Sequence, residues 1–153
     1  MARDYLLIRL DDRLLGLPLA EVSEVLRAVD VTPIPEAPET VLGAINVRGE
    51  WRIVLNLRKR FGLPYSPISP RERLVLVDGE PFCFPADSVD GLVEVAETAL
   101  DAANAIDSGI ERYCKGMAEH QGEVVLLFDH VSLFGEASWR DGVRLALESI
   151  AQN

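Results

Sequence analysis

The sequence predicts an all-β protein made of two copies of one small barrel, followed by a C-terminal amphipathic helix. The main observation is an internal repeat: residues 43–62 align with residues 116–135 at a constant offset of 73, and five of the twenty positions are identical. Chance alone would give roughly one identity. Segments that begin at Leu15 and Phe82 align in the same way at an offset of 67. One unit of roughly 65 to 75 residues is therefore expected to occur twice.

Each copy is expected to begin with a β-hairpin. The apolar, β-rich runs at residues 5–10 and 73–77 are followed by Asp11-Asp12 and Asp78-Gly79. Aspartate and glycine accept the positive φ angles that tight hairpin turns require. We therefore predict a strand followed by a turn at both places.

A second hairpin is expected in each copy, at the repeated segment. Gly49-Glu50 and Gly122-Glu123 lie between short apolar runs, as hairpin turns do. Glycines spaced through strands suit small barrels, in which the sheet bends sharply.

A short helical turn and a linker are predicted to end the first copy. Residues 56–61 form the turn, with Asn56 as its N-cap and Gly62 past its end. Three prolines between residues 64 and 70 favour an extended linker. The first barrel is expected at about residues 13–70 and the second at about 71–135, with strand 4–10 as a candidate to complete the second.

The C-terminal segment is predicted to be a helix over residues 138–151. Trp139, Val143, Leu147 and Ile150 recur at helical spacing, and Ser138 with Asp141 resembles a capping box. Gly142 costs such a helix about 1 kcal/mol relative to alanine. The structure of residues 95–106 is ambiguous, because their alanines permit a helix but their apolar stripe is weak.

Composition favours a cytoplasmic protein. The chain has no run of about 18 apolar residues that could span a membrane, and Arg3, Asp4 and Arg9 interrupt any signal-peptide core. Its two cysteines, Cys83 and Cys114, have no metal-ligand or disulfide-like spacing. Cys83 lies in an apolar run and is expected to be a small core residue.

Charge is distributed unevenly along the chain. Residues 1–73 contain 11 basic and 10 acidic side chains, whereas residues 74–153 contain 4 basic and 15 acidic ones. The formal net charge of −10 argues against nucleic acid and anionic membranes as partners. Arg52, Arg58, Lys59 and Arg60 form a basic cluster that is either a solvated face or a surface that attracts an acidic partner.

Catalytic motifs are missing from the sequence. Phosphate-binding glycine loops, nucleophile elbows and zinc-binding HExxH motifs do not occur. Asp129, His130 and Ser132 are too close along the chain to converge on one reacting atom as a triad does. We expect no catalytic residue, no cofactor-binding residue and no metal ligand, and the chain is not expected to be an enzyme.

The hairpin of the first copy resembles the signature of the CheW-like chemotaxis adaptor (coupling) family. GAINVRG at residues 43–49, followed by IVLNLR at residues 53–58, is similar to the family's Asn-Leu-Arg-Gly turn and the strand after it. Upstream, GLPL at 16–19 and VSEV at 22–25 resemble the family's first strand pair. Downstream, DSV at 87–89 resembles its Asp-x-Val segment.

This resemblance implies two SH3-like five-stranded β-barrels and a non-catalytic adaptor. Such an adaptor couples the cytoplasmic tips of methyl-accepting chemoreceptors to the regulatory domain of a CheA-like histidine kinase, without a cofactor. The resemblance also implies that the protein joins rings in membrane-associated receptor arrays. The acidic second half disfavours self-association, so the isolated protein is expected to be mainly monomeric. The matching positions, expected to bind partners, are Val22, Glu24, Val25, Gly43, Asn46, Arg48, Gly49 and Val89.

The chain departs from the family pattern at several positions. Ile53, Asn56 and Cys83 stand where proline, aspartate and glycine are common, and Trp51-Arg52 is bulkier and more charged than the usual apolar pair. The output system therefore stays open between flagellar chemotaxis and a related system for twitching, gliding or cyclic dinucleotides. A small β-barrel enzyme or ligand carrier is the alternative from a different functional class.

Overall fold

The computed structural model describes residues 2–96 and 113–152. Within those residues it contains ten strands and three α-helices. The strands are β1 Ala2–Leu10, β2 Arg13–Pro18, β3 Val22–Arg27, β4 Val41–Val47, β5 Glu50–Leu55, β6 Arg73–Val77, β7 Phe82–Ala86, β8 Ser88–Ala96, β9 Gly116–His120 and β10 Glu123–Leu127. The helices are α1 Leu57–Arg60, α2 His130–Phe134 and α3 Ala137–Ala151, and a 3-10 turn occupies Leu19–Glu21.

The strands form two five-stranded sheets, which confirms the all-β prediction. Sheet I has the strand order β3-β6-β7-β5-β4, and sheet II has the order β8-β1-β2-β10-β9. In sheet I the edges are brought together by a bridge between Thr32, which follows β3, and Ala44 on β4. This bridge curls sheet I towards a closed barrel, as an SH3-like unit requires.

The two sequence repeats exchange their first hairpins. Sheet II combines β1 and β2 from the first copy with β8, β9 and β10 from the second copy. Sheet I combines β6 and β7 from the second copy with β3, β4 and β5 from the first. Strand β1 completes the sheet of the second copy, as expected for strand 4–10, but β2, β6 and β7 lie across the predicted boundaries at residues 13 and 70. The repeat shows which segments are alike, whereas the hydrogen bonds decide which segments lie together.

The repeated hairpins have the same geometry in both copies. Val47 pairs with Glu50, and His120 pairs with Glu123, so each turn has two residues. The φ angles are 52° and 89° at Arg48 and Gly49, and 52° and 80° at Gln121 and Gly122. Positive φ at both central residues is the signature of a type I′ turn, whose twist matches that of the strands.

A helical turn with a side-chain cap follows each repeated hairpin. The Asn56 side chain accepts a hydrogen bond from the Lys59 N–H at the start of α1, as predicted. At the start of α2, Asp129 accepts from the Ser132 N–H, and the Ser132 hydroxyl accepts from the Asp129 N–H. Asp129 and Ser132 therefore form a capping box, which satisfies two otherwise unpaired backbone donors.

The largest hydrophobic cluster joins the two sheets and the helices. It contains Leu15 and Phe128 of the sheet II side, Phe84 of sheet I, and Phe134 and Trp139 of the helices. Each sheet also has a smaller cluster of its own, around Leu7 in sheet II and Val54 in sheet I. The shared cluster fixes the two sheets against each other, because each buried aromatic side chain removes a large apolar area from water.

Helix α3 begins one residue before the predicted start and buries Trp139, Val143 and Ala146. Its N-cap is Glu136, which makes no side-chain capping bond, so the predicted capping box at Ser138 and Asp141 is wrong. The capping box of this region lies in α2 instead. Of the ambiguous segment 95–106, Val95 and Ala96 end β8, and the rest lies outside the described residues.

Candidate functional site

Five of the eight residues that match the family motif lie together at the seam between β3 and β4, the two edge strands of sheet I. Glu24 lies on β3, Gly43 and Asn46 lie on β4, and Arg48 and Gly49 form the turn after β4. That these residues bind a partner remains a prediction. Their positions and local contacts are observed in the structure.

An ion pair between Arg48 and Glu24 spans the seam. The Arg48 Nη1 donates to Glu24 Oε1 at 3.3 Å, and its Nη2 donates to Glu24 Oε2. The Arg48 hydrogen bond lowers the pKa of the Glu24 carboxyl, and the Glu24 carboxylate raises the pKa of the guanidinium. The Arg48 side chain is 73% exposed, so solvent screens the pair and its contribution to stability is small.

The turn holds Arg48 in a conformation that arginine rarely adopts. Its φ of 52° lies in the left-handed region, which costs a side chain with a Cβ about 1–2 kcal/mol. Asn46 supports the turn, because its Oδ1 accepts from the Gly49 N–H at 2.9 Å. This conformation belongs to the type I′ turn, because Gln121 has the same φ of 52° in the equivalent hairpin.

Gly43 allows the seam to close. A Cβ at this position would lie 2.6 Å from the carbonyl oxygen of Thr32. Thr32 and Ala44 exchange two backbone hydrogen bonds of 2.8 Å, which are the bonds that join the two edges. Any larger residue at position 43 would push this bridge apart.

The remaining three motif residues are not part of the seam. Val22 and Val25 on β3 and Val89 on β8 are half-buried and pack against the cluster shared by the two sheets. Val22 pairs with Val77 in sheet I, whereas Val89 pairs with Ile8 in sheet II. The structure therefore divides the motif into a group at the seam and a group at the junction of the sheets.

A groove beside the seam was not predicted from the sequence. Its cavity of about 540 Å³ is lined by Leu26, Val29, Val47, Arg48 and Trp51, among others. Val29 and Trp51 are 44% and 36% exposed although both are large and apolar. In the sequence, Trp51 is a departure from the family pattern. A bulky side chain at this position, in a strand beside a turn, is the one feature of the sequence that could indicate the groove.

The groove continues past Val29 along the outer side of sheet I. The next cavity, of about 450 Å³, is lined by Val29, Val31, Leu42, Tyr65 and Ile68, among others. Tyr65, in the proline-rich linker, is 72% exposed. Together these residues make an apolar, partly aromatic surface, a composition that is enriched at the centre of protein interfaces.

The predicted basic cluster does not form a basic patch. Arg58 binds Asp11 at 2.7 Å and lies 3.5 Å from Asp87, and Lys59 binds Glu39 at 2.9 Å. Arg60 is buried against the Tyr113 ring, 3.8 Å from its centre, and pairs with Glu136 at 2.5 Å. Arg52 donates to the Glu80 carbonyl. The three arginines are occupied within the fold, whereas Lys59 and its partner Glu39 are exposed to solvent. Attraction of an acidic partner by this cluster stays a prediction.

Potential catalytic groups in the described residues have structural roles. Asp129 and Ser132 cap α2, and His130 contacts Glu21, with 2.7 Å between its Nδ1 and Glu21 Oε1. Burial raises the pKa of the Cys83 thiol to about 12, so it is not a nucleophile at neutral pH. No group of three metal-binding side chains occurs in residues 2–96 and 113–152. No helix in the described part of the chain is long and apolar enough to cross a membrane.

Comparisons with known proteins agree with the fold and the motif. Residues 4–138 match the model of the CheW-like domain family. The chemotaxis protein CheW of Thermotoga maritima is 26% identical over 141 residues, which cover 92% of this chain and 93% of that protein. Protein FrzA of Myxococcus xanthus is 38% identical over 72 residues, or 47% of this chain and 45% of that protein. The crystal structure of the scaffolding protein TtCheW from Thermoanaerobacter tengcongensis matches with a TM-score of 0.76 and 27% identity over 90% of both chains.

Proposed function

This chain belongs to the CheW-like domain family and is an adaptor of chemotaxis signalling, and from that premise we propose the partners that it joins. It couples the cytoplasmic tips of methyl-accepting chemoreceptors to the regulatory domain of a CheA-type histidine kinase. The observation that carries this proposal is the seam of sheet I. There, five motif residues lie beside an exposed groove that is lined by both apolar and polar residues and contains Trp51.

The seam has the features of a binding surface. Tryptophan, tyrosine and arginine contribute most of the binding energy in many interfaces, and Trp51, Tyr65 and Arg48 are exposed on or beside this groove. The Arg48–Glu24 pair holds the guanidinium across the seam, so part of its side-chain entropy is already lost before a partner binds.

Two separate surfaces fit two partners. The seam and its groove lie on the outer side of sheet I, which suits the kinase regulatory domain. Val22, Val25 and Val89 lie where the sheets meet, which suits the receptor hairpin in a groove between the barrels. In this role the protein has no catalytic function and works in the cytoplasm at membrane-associated arrays. It is mainly monomeric when isolated and joins rings within the array.

A second candidate is an adaptor for twitching, gliding or cyclic-dinucleotide output. The observation that favours it is the match to FrzA, which has a higher identity than the CheW match but covers only 47% of this chain. The partners would be of the same kind, a receptor and a CheA-type kinase, and only the output would differ. Deletion of the gene, scored for swimming and for surface motility, separates the two candidates.

Co-sedimentation with a receptor cytoplasmic fragment and the kinase tests the proposed partners. The wild-type chain should sediment with both and should be needed for kinase to sediment with receptor. Arg48→Glu should keep the fold but lose at least one partner, because an interface arginine contributes about 2 kcal/mol or more. Arg144→Glu is the matched control, because Arg144 is also exposed and paired, with Glu148 on α3. The proposal would be contradicted if the wild-type chain bound neither the receptor fragment nor the kinase. It would also be contradicted if Arg48→Glu bound both partners as well as Arg144→Glu does.

A further inference from the structure

The exchange of hairpins makes each repeat depend on the other. We define repeat 1 as residues 2–60 and repeat 2 as residues 73–134. Strand β3 of repeat 1 hydrogen-bonds to β6 of repeat 2, and β8 of repeat 2 hydrogen-bonds to β1 of repeat 1. The parallel pairs β2–β10 and β5–β7 also join the two repeats. Neither repeat can form a complete five-stranded sheet from its own strands.

Each repeat is therefore completed by the strands of the other repeat. The hydrogen bonds between the strands would be the same if the second repeat came from another copy of the chain. One covalent connection joins the repeats, the linker of residues 61–72 between α1 and β6. Residues 64–67 of the linker are exposed, and the linker passes over the outer side of sheet I, where Tyr65 and Ile68 line the groove. Prolines at positions 64, 67 and 70 keep it extended rather than coiled.

We propose that a second copy of this chain can supply the missing repeat, so that repeat 1 of each copy pairs with repeat 2 of the other. The product is a two-fold, domain-swapped dimer that contains two complete CheW-like units. The linker decides between the two forms. At its natural length the intramolecular partner is favoured, because a tethered partner has a high effective concentration. A linker that is too short for the path around sheet I leaves only the exchanged form, as in other hinge-loop variants.

The swapped dimer would carry two seams in one molecule. Each unit would keep the strand pairing and the shared core, because both are rebuilt from the same segments, whereas the linker would take a different path. Such a dimer can bind two kinase domains at once, whereas the monomer binds one.

A salt-bridge cluster between the repeats provides a selective test of exchange. Arg9 of repeat 1 donates to Asp90 Oδ2 at 3.0 Å and to Glu123 Oε2 at 2.7 Å, both in repeat 2. The hydrogen bonds that Arg9 donates to Glu123 and Asp90 raise the pKa of Arg9. The Arg9 hydrogen bond lowers the pKa of Glu123, and hydrogen bonds from Ser88 and Arg9 lower the pKa of Asp90. Like charges at these positions therefore oppose the pairing of the two repeats.

The first experiment shortens the linker in the full chain. Deletion of residues 64–70 leaves Arg71 alone between Leu63, which donates to the Arg58 carbonyl, and Glu72, which accepts from the Ala28 N–H. This variant should elute as a folded dimer with twice the 16.9 kDa mass of one chain. A chain with seven glycine and serine residues in place of 64–70 is the control, and it should remain monomeric. A folded monomer from the deletion variant would overturn the proposal.

The second experiment uses two full-length variants and does not depend on the deletion. One carries Arg9→Glu, and the other carries Asp90→Arg with Glu123→Arg. Each variant alone has like charges between its repeats, whereas both units of a swapped heterodimer have opposite charges. Co-refolding from denaturant at high concentration should give a heterodimer well above the statistical mixture, measured by native mass spectrometry. Monomers alone, or dimers without preference for the mixed pair, would mean that the repeats do not exchange.

Discussion

The contact between α3 and the segment before β4 predicts that a normally stabilising substitution is destabilising here. Alanine in place of Gly142 would stabilise an exposed helix by about 1 kcal/mol. In this protein Gly142 is buried, and a Cβ there would lie 2.5 Å from the Thr40 hydroxyl oxygen and 3.7 Å from the Thr40 Cβ. The threonine must move, or the helix must shift away from the sheet.

The size of the effect follows from the two opposing contributions. Overpacking of a close contact costs about 1–3 kcal/mol, which outweighs the gain in helix propensity. Threonine is branched at Cβ, so only one of its three staggered rotamers would place hydrogen rather than a heavy atom at the contact. The net change for Gly142→Ala is therefore a loss of about 0–2 kcal/mol in the free energy of unfolding.

A double-mutant cycle with Thr40→Ala checks this argument. Thr40→Ala removes the clashing oxygen, which has no hydrogen-bond partner in the described structure. In that background Gly142→Ala should stabilise the protein by about 1 kcal/mol, so the coupling energy should be about 1–3 kcal/mol. Urea unfolding, followed by the fluorescence of the buried Trp139, measures all four free energies. If Gly142→Ala stabilises both backgrounds equally, the close contact is not the reason for glycine at this position.

Three further predictions concern other parts of the fold. Gly43→Ala should destabilise the protein by about 1–3 kcal/mol, because its Cβ would meet the Thr32 carbonyl at 2.6 Å, and urea unfolding with unchanged stability would contradict this. The Cys83 pKa is raised to about 12, so the stability that the protonated thiol contributes should be full below pH 9 and should fall as the pH rises towards 12. Between pH 8.5 and 10.5, the free energy of unfolding of Cys83→Ala should fall less than that of the wild-type protein. The same fall in both proteins would exclude this role of the thiol. Arg60→Ala should cost about 2 kcal/mol through lost stacking on Tyr113, whereas Glu136→Gln should cost less than about 1 kcal/mol because Glu136 is exposed. Thermal unfolding compares the two, and a larger loss for Glu136→Gln would mean that the ion pair dominates.

Local structure was predictable where short sequence signals determine it. The two repeated hairpins, the Asn56 cap and the strand at residues 73–77 follow from turn residues, capping residues and β-branched runs. The capping box at Ser138 was wrong because Ser138 already lies inside α3. The serine and acidic spacing of a capping box can occur within a helix, and only the backbone conformation distinguishes the two cases.

Partners in space were harder to predict than elements. The boundary at residue 70 follows a clear break in composition, but β6 and β7 lie in sheet I with strands of the first copy, and β2 bonds to β10, far along the chain. Sequence periodicity gives the faces of a strand and not its neighbours. For the same reason the basic cluster looked like a surface patch, although folding brings an acidic group or a carbonyl to each of its members. The exposure of Trp51 and Tyr65 also depends on tertiary packing, so the groove could not be found from the sequence.

The exchange of hairpins has a consequence for how the protein is made on the ribosome. Sheet I can be completed once β7 has been synthesised, but sheet II needs β10, which ends at Leu127. At about 5–20 residues per second, the apolar strands β1 and β2 wait roughly 5–20 s for their partners. During that time their unpaired edges are open to other chains, which makes nascent copies prone to aggregate. Arrested nascent chains from which only residues 1–86 have left the ribosome should therefore show protease protection in sheet I and weaker protection in β1 and β2, and equal protection of both would exclude this order of folding.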